Sequence, residues 1–208
     1  WKLMIPMLKV LEVALGEEDY LEKSAEAYRK NPLIVFEKTA GAGHDNYTKY
    51  MYELDRIKGW YNNNKNGYAW CSGFSEWCFI AAYGIDAAKK ILCHSIYSAG
   101  VNADADNYRR AGRLFFNNPQ IGDRIYFGKS SADLEHVGLI HDLDNYYIYT
   151  IEGNTSSASG VVPNGGAVCR KKYSRNDKKV ICFGRPNYSV IDEEDLDMTQ
   201  EKFDEFME

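Results

Sequence analysis

Apolar residues recur every three to four positions in the first half of the chain and every second position in the second half. From Met7 to Glu18, Leu8, Val10, Leu11, Val13 and Leu15 form a broad apolar stripe and predict a helix. Residues 29–45 contain Pro32, Gly41 and Gly43 and predict irregular structure. Asn46 to Lys58 predicts a second helix, stopped at Gly59. Beyond the polar loop Tyr61-Asn62-Asn63-Asn64-Lys65-Asn66-Gly67, helical spacing returns. Cys71, Phe74, Cys78 and Ala81 fall at i, i+3, i+7 and i+10, with Gly84 as the stop. Asp86 to about Cys93 and Asp104 to Gly112 predict two more helices.

After Gly112 the period changes to two. Arg124–Phe127, His136–Asp142, Tyr146–Glu152, Val168–Tyr173 and Val180–Phe183 read as strands. Leu143-Asp144-Asn145 is the predicted turn of one hairpin, and Arg175-Asn176-Asp177 that of another, which would set Cys169 opposite Cys182. Helices first and an antiparallel sheet afterwards make an α+β domain.

Composition narrows the class. Hydrophobic residues make up 45% of the 208, enough for a packed core. No apolar run approaches the length of a membrane span, so membrane insertion is not expected. The net charge of −5 conceals an asymmetry, because residues 192–208 alone carry nine acids and one base. The remaining body is weakly positive and has no dense Lys/Arg stripe, so nucleic acid is not an expected partner. The acidic stretch 191–208, with Phe203, Phe206 and Met207 as an apolar stripe, is expected to be a linker and helix start leading into a further binding or oligomerising module. The domain proper is expected over residues 1–190. Five cysteines without CxxC spacing suit neither a structural zinc site nor a disulfide framework.

Three residue types stand in a suggestive order. Cys71 begins a predicted helix, where the helix end favours a thiolate. His136 heads one strand, and Glu152 lies near the end of the next. With the hairpin turn centred on Asp144, His136 falls directly across from Glu152, and cross-strand neighbours on one face have Cβ atoms about 4.5–5.5 Å apart. A carboxylate there can accept a ring N–H and orient the imidazole. That is the layout of a thiol hydrolase. A bland origin is equally open for each residue taken singly, because a Cys on an apolar helical face is usually core. Cys78 is expected to be such a residue, and His141, at odd parity to His136, is expected on the opposite face.

The run Trp70-Cys71, Phe74, Trp77-Cys78, then Gly122-Asp123, His136-Val137-Gly138 and Glu152-Gly153-Asn154 resembles the CHAP domain. CHAP denotes cysteine, histidine-dependent amidohydrolase/peptidase, a group within the papain-like and NlpC-type peptidoglycan hydrolases. The resemblance implies a papain-like fold with N-terminal helices packed on the sheet. It also implies Cys71 as nucleophile, His136 as base, Glu152 as orienting carboxylate and Asn154 as a fourth polar member. Its expected substrate is bacterial peptidoglycan, cut either at the N-acetylmuramoyl–L-alanine amide or at a stem or cross-bridge peptide bond, as in a phage or prophage endolysin. Synthesis in the bacterial cytoplasm and action on the wall follow from that expectation, with the export route left open. The aromatic residues Trp60, Tyr61, Tyr68 and Trp70 and the loop Thr155–Gly160 are expected to wall the substrate cleft. Some members bind calcium through carboxylates shortly before the Cys. The corresponding stretch here offers only Asn62, Asn64 and Asn66, so neither a metal nor another cofactor is expected. Two alternatives stay open: an NlpC-type endopeptidase of wall remodelling, and a non-catalytic wall-binding or phage structural module on the same fold.

Overall fold

The computed structural model describes residues 4–191. The expected C-terminal linker therefore lies outside the described residues. Five α-helices, α1 (Met4–Gly16), α2 (Ala25–Lys30), α3 (Lys49–Leu54), α4 (Cys71–Ile91) and α5 (Val101–Arg110), precede six strands. The strands are β1 (Leu114–Phe115), β2 (Arg124–Ser130), β3 (Asp133–Leu143), β4 (Tyr147–Thr155), β5 (Ala167–Ser174) and β6 (Val180–Gly184). They form one antiparallel sheet in the order β1-β6-β2-β3-β4-β5. The architecture is α+β, as the change of period predicts.

Alternation along the strands divides the apolar residues between two cores. Tyr126, Val137, Leu139, Ile151, Val168 and Cys182 join the helices in the main core. Ile125, Phe127, Ile140, Ile148, Tyr173 and Phe183 form a second cluster on the other side. Tyr173 of β5 lies 4.6 Å, ring to ring, from Phe127 of β2, although β3 and β4 separate those strands in the sheet. The sheet is therefore curled.

The curl corrects one expectation. β5 and β6 are consecutive in the chain but do not form a hairpin. β5 pairs with β4 at one edge, while β6 pairs with β2 and β1. The short connection of residues 175–179 crosses the mouth of the curled sheet, and the two strands meet through side chains rather than through a ladder. Cys169 consequently pairs with Glu152 and Cys182 with Tyr126, so the two thiols do not face each other.

A buried polar network ties the start of α4 to the sheet and to α5. Arg124 is fully buried and donates to Asp104 and to the Ser75 hydroxyl, and at 3.4 Å to the Ser72 carbonyl. Tyr126 donates to the second Asp104 oxygen at 3.0 Å. Burial pushes the Asp104 carboxyl up to about 6 against the opposing pull of Arg124. Breaking a buried pair of this kind costs about 3–5 kcal/mol, because the remaining charge is left uncompensated. Further along α4, Gly84 has φ +73° and ψ 172°, so the helix breaks there, as its sequence position predicts.

Candidate active site

Cys71 is the first residue of α4. The residue before it, Trp70, has φ −124° and ψ 15°, outside both the helical and the extended regions, and offers no side-chain cap to the helix. The first intrahelical bond runs from the Phe74 N–H to the Trp70 carbonyl at 2.8 Å. The N–H groups of Cys71, Ser72 and Gly73 precede that bond and form the positive end of the helix beside the thiol. Trp70 is held from behind by its indole N–H, which donates to Glu22 at 2.7 Å, and its ring stacks on Tyr50. The nucleophile candidate thus sits on an anchored helix end, with 3% of its surface exposed.

His136 on β3 and Glu152 on β4 meet, but in a different register from the one the sequence predicts. The ladder pairs Leu139 with Ile151 and Ile140 with Thr150, and a bulge at His141 separates these pairs from Asp142–Tyr149. Continuing that register places Glu152 opposite Gly138, not opposite His136. A two-residue offset keeps the same face, so the imidazole and carboxylate become diagonal neighbours. Gly138 makes the diagonal workable: a Cβ there would lie 2.6 Å from Glu152 Cγ. With no side chain in the way, Glu152 leans over Gly138 and accepts from His136 Nε2 at 2.9 Å. Gly138→Ala is expected to push the carboxylate off the ring and lower the turnover rate at least tenfold, while circular dichroism still reports the native sheet. An unchanged rate would show that the diagonal contact does not matter.

Two residues that the sequence did not point to complete the carboxylate's environment. The Thr150 hydroxyl donates to Glu152 Oε1, and the Tyr173 hydroxyl donates to Oε2 at 3.2 Å. Thr150 lies two residues before Glu152 on the same face, so strand alternation could have found it. Tyr173 could not be found without knowing that β5 lies beside β4. All three oxygen contacts are buried, which keeps the carboxylate dry and fixed.

His136 is itself wholly buried. Burial lowers its pKa, but the interactions with the Cys71 sulfur and with Glu152 outweigh that loss and hold the ring up at about 10. Because Glu152 engages Nε2, Nδ1 is the nitrogen left for Cys71. Nδ1 has no hydrogen-bond partner among the described residues. The site therefore favours an imidazolium between a sulfur and a carboxylate, the charge pattern of a thiolate–imidazolium pair.

Asn154 is buried nearby but does not join the triad. The register slips between Glu152 and Thr155, and Asn154 takes a positive φ of 57°. Among the described residues neither polar atom of its side chain has a partner, nor does the Thr155 hydroxyl.

The expected aromatic wall is corrected. Trp60 and Trp70 are fully buried and Tyr61 nearly so. Trp60 Nε1 and Tyr61 OH both donate to the buried Glu76 at 2.7 Å, and Trp70 donates to Glu22. An aromatic ring whose polar edge is satisfied by a buried carboxylate is a core anchor. Only Tyr68, 66% exposed, faces solvent. Cys78 is fully buried, as expected of a core thiol. No group of three or more His, Cys, Asp or Glu side chains that could hold a metal is found among the described residues. None of the described helices is long and apolar enough to cross a membrane.

Comparison with known proteins bears on the same residues. Residues 63–154 match the CHAP domain model, a span that runs from the loop before Cys71 to Asn154 and includes His136 and Glu152. The match covers somewhat under half of the chain and makes this stretch similar to CHAP domains. No curated protein and no solved structure matches the chain.

Proposed function

From a stretch similar to CHAP domains, in which Cys71, His136 and Glu152 lie together, we propose that the protein is a cysteine hydrolase that cuts an amide bond of peptidoglycan. The observation that carries the proposal is the His136–Glu152 contact, with Nε2 engaged and Nδ1 left for a thiol at a helix N-terminus. A buried imidazole paired with a buried carboxylate also weighs against a purely structural module, which has no use for a raised imidazole.

The chemistry follows from those positions. The Cys71 thiolate attacks the scissile carbonyl and forms a C–S bond, and the oxygen takes up the electron pair. The N–H groups of the first turn of α4 stabilise that oxyanion. As the tetrahedral species collapses, His136 gives its Nδ1 proton to the departing amine and a thioester remains. Neutral His136 then takes a proton from water, whose oxygen attacks the thioester and releases the acid and Cys71. Glu152 holds the ring in one orientation and stabilises its charged form throughout, while Thr150 and Tyr173 hold Glu152. Asn154, wholly buried and with both amide atoms unpartnered among the described residues, would serve as the fourth polar member, orienting His136 or donating to the oxyanion.

The scissile bond is either the amide joining the sugar lactyl group to L-alanine or a peptide bond of the stem or cross-bridge, and an endolysin role is consistent with both. Digestion of purified sacculi followed by mass spectrometry tests the proposal. Solubilisation with new alanine amino termini identifies an amidase, and other new amino termini identify an endopeptidase. Intact sacculi at high enzyme concentration would overturn the hydrolase assignment.

A further inference from the structure

The loop that leads into Cys71 also forms one wall of a cleft of about 420 Å³ that the mechanism does not use. Its other walls come from α2 and α3. Tyr28 and Tyr47 stack there with ring centroids 4.2 Å apart and planes 16° from parallel. Tyr52 lies beside them, and the Arg56 guanidinium covers its ring at 3.3 Å from the centroid. The cleft is firmly built. Asp55 accepts from the Lys65 and Asn66 N–H groups at 2.7 and 2.9 Å and so pins the loop to the end of α3. Asn66 Oδ1 accepts from the Thr48 N–H at 3.0 Å. The Tyr47 ring packs on Gly67, where φ is +95° and an added Cβ would lie 3.3 Å from the ring.

Within this rigid frame several donors are unspent. The amide nitrogen of Asn66 is buried and has no hydrogen-bond partner. The hydroxyls of Tyr28, Tyr47 and Tyr52 make no hydrogen bond among the described residues. A buried amide N–H without an acceptor is destabilising, and a ligand carbonyl can relieve that cost. The face of Tyr28 turned away from Tyr47 suits the C–H face of a pyranose, and the tyrosine hydroxyls suit its ring substituents. A sugar with an acetamido group supplies both a C–H face and a carbonyl.

We propose that this cleft is a binding subsite for an N-acetylated aminosugar of a glycan strand, with the acetamido carbonyl accepting from Asn66 Nδ2. The inference rests on the peptidoglycan assignment and deepens it. A strand seated here would lie along the segment that runs directly into Cys71, holding the wall polymer while an attached peptide reaches the thiol.

The probe is chitotriose, the β-1,4 trimer of N-acetylglucosamine, which contains no peptide and so cannot be hydrolysed at a stem. Titration into the full chain, followed by NMR, is expected to shift signals of Tyr28, Tyr47, Tyr52 and the Asn66 side chain. Cellotriose, which lacks the acetamido group, is expected to bind at least tenfold more weakly. Asn66→Asp keeps the acceptor for Thr48 and removes the donor, and is expected to weaken chitotriose about tenfold, as is Tyr28→Ala. Failure of chitotriose to bind at millimolar concentration would overturn the subsite, as would shifts confined to other residues or equal binding by both variants. Sacculi digested without sugar binding would sink the subsite alone. Sugar bound in the cleft without any digestion would sink the hydrolase and keep the subsite.

Discussion

Cys71→Ala is expected to abolish release of fragments from purified sacculi while leaving the fold unchanged. Residues that act as one catalytic unit lose nearly the whole enhancement when any one is removed, which in a well-studied triad is about 10⁶-fold. The side chain is small and lies at a helix start whose anchoring comes from Trp70, Glu22 and the Arg124 network, so its loss leaves those contacts intact. His136→Ala is expected to match Cys71→Ala in rate. Cys78→Ala serves as the contrast: that thiol is fully buried among apolar neighbours, so its removal costs stability and spares turnover. Near wild-type solubilisation by Cys71→Ala would mean that another group is the nucleophile.

Glu152→Gln is expected to keep the shape of the site and lower the rate by about a thousandfold or more, as happens when an orienting carboxylate becomes an amide. Its pH signature is more specific than its rate. Burial lowers the His136 pKa, and the interactions with Cys71 and Glu152 raise it to about 10. Removing the Glu152 charge lets burial count for more, so the imidazolium is lost at lower pH. The alkaline limb of the rate profile is therefore expected near pH 10 in the wild type and lower in the variant. Stability follows the same sign. A pKa raised above the unfolded value of about 6.5 stabilises the fold fully below that pH, and the gain disappears as pH rises through about 10. Melting temperatures between those limits are expected to fall more steeply for wild type than for Glu152→Gln. Asn154→Ala is expected to cost less in rate than Glu152→Gln and to leave both pH profiles in place. If Asn154→Ala proved the more damaging change, Asn154 would be the third member of the unit.

Much of this was legible in the sequence, and the failures have distinct physical causes. Strong periodicity gave α4, its break at Gly84 and the two strands that carry His136 and Glu152. The register of those strands was misjudged because the hairpin is not centred on Asp144: Leu143 pairs with Ile148, and the bulge at His141 then takes back one residue of the offset. The error was two residues, so the face was kept and the pair still met. Short α2 was missed because its signal is a single Ser24 cap rather than a repeating stripe. The aromatic wall failed for a different reason. Trp60, Tyr61 and Trp70 look like exposed platforms beside a polar loop, but Glu76 and Glu22 satisfy their polar edges inside the core. Neither carboxylate stands out in sequence. The strand neighbours of β5 and β6 were misassigned because local turn chemistry at Arg175-Asn176-Asp177 says nothing about which strands lie alongside.

The late arrival of β6 governs how the molecule can be built. β2 carries Arg124 and is flanked by β3 on one side only until residues 180–184 have been made. A chain emerging from the ribosome therefore has an open, apolar strand edge in the middle of its future sheet from the completion of β2 at Ser130 until Val180–Gly184 follows. The final ladder joins strands that are far apart in sequence, which slows closure. Arg185 then locks the seam with a two-pronged grip on Asp123, at 3.0 and 2.9 Å. Any shortened version meant for production has to retain this last strand and its arginine, whereas Cys71, His136 and Glu152 are all translated well before them. The hydrolytic unit and the piece that seals it are thus made at separate times, and a nascent chain carries every catalytic group before it has a closed sheet to hold them.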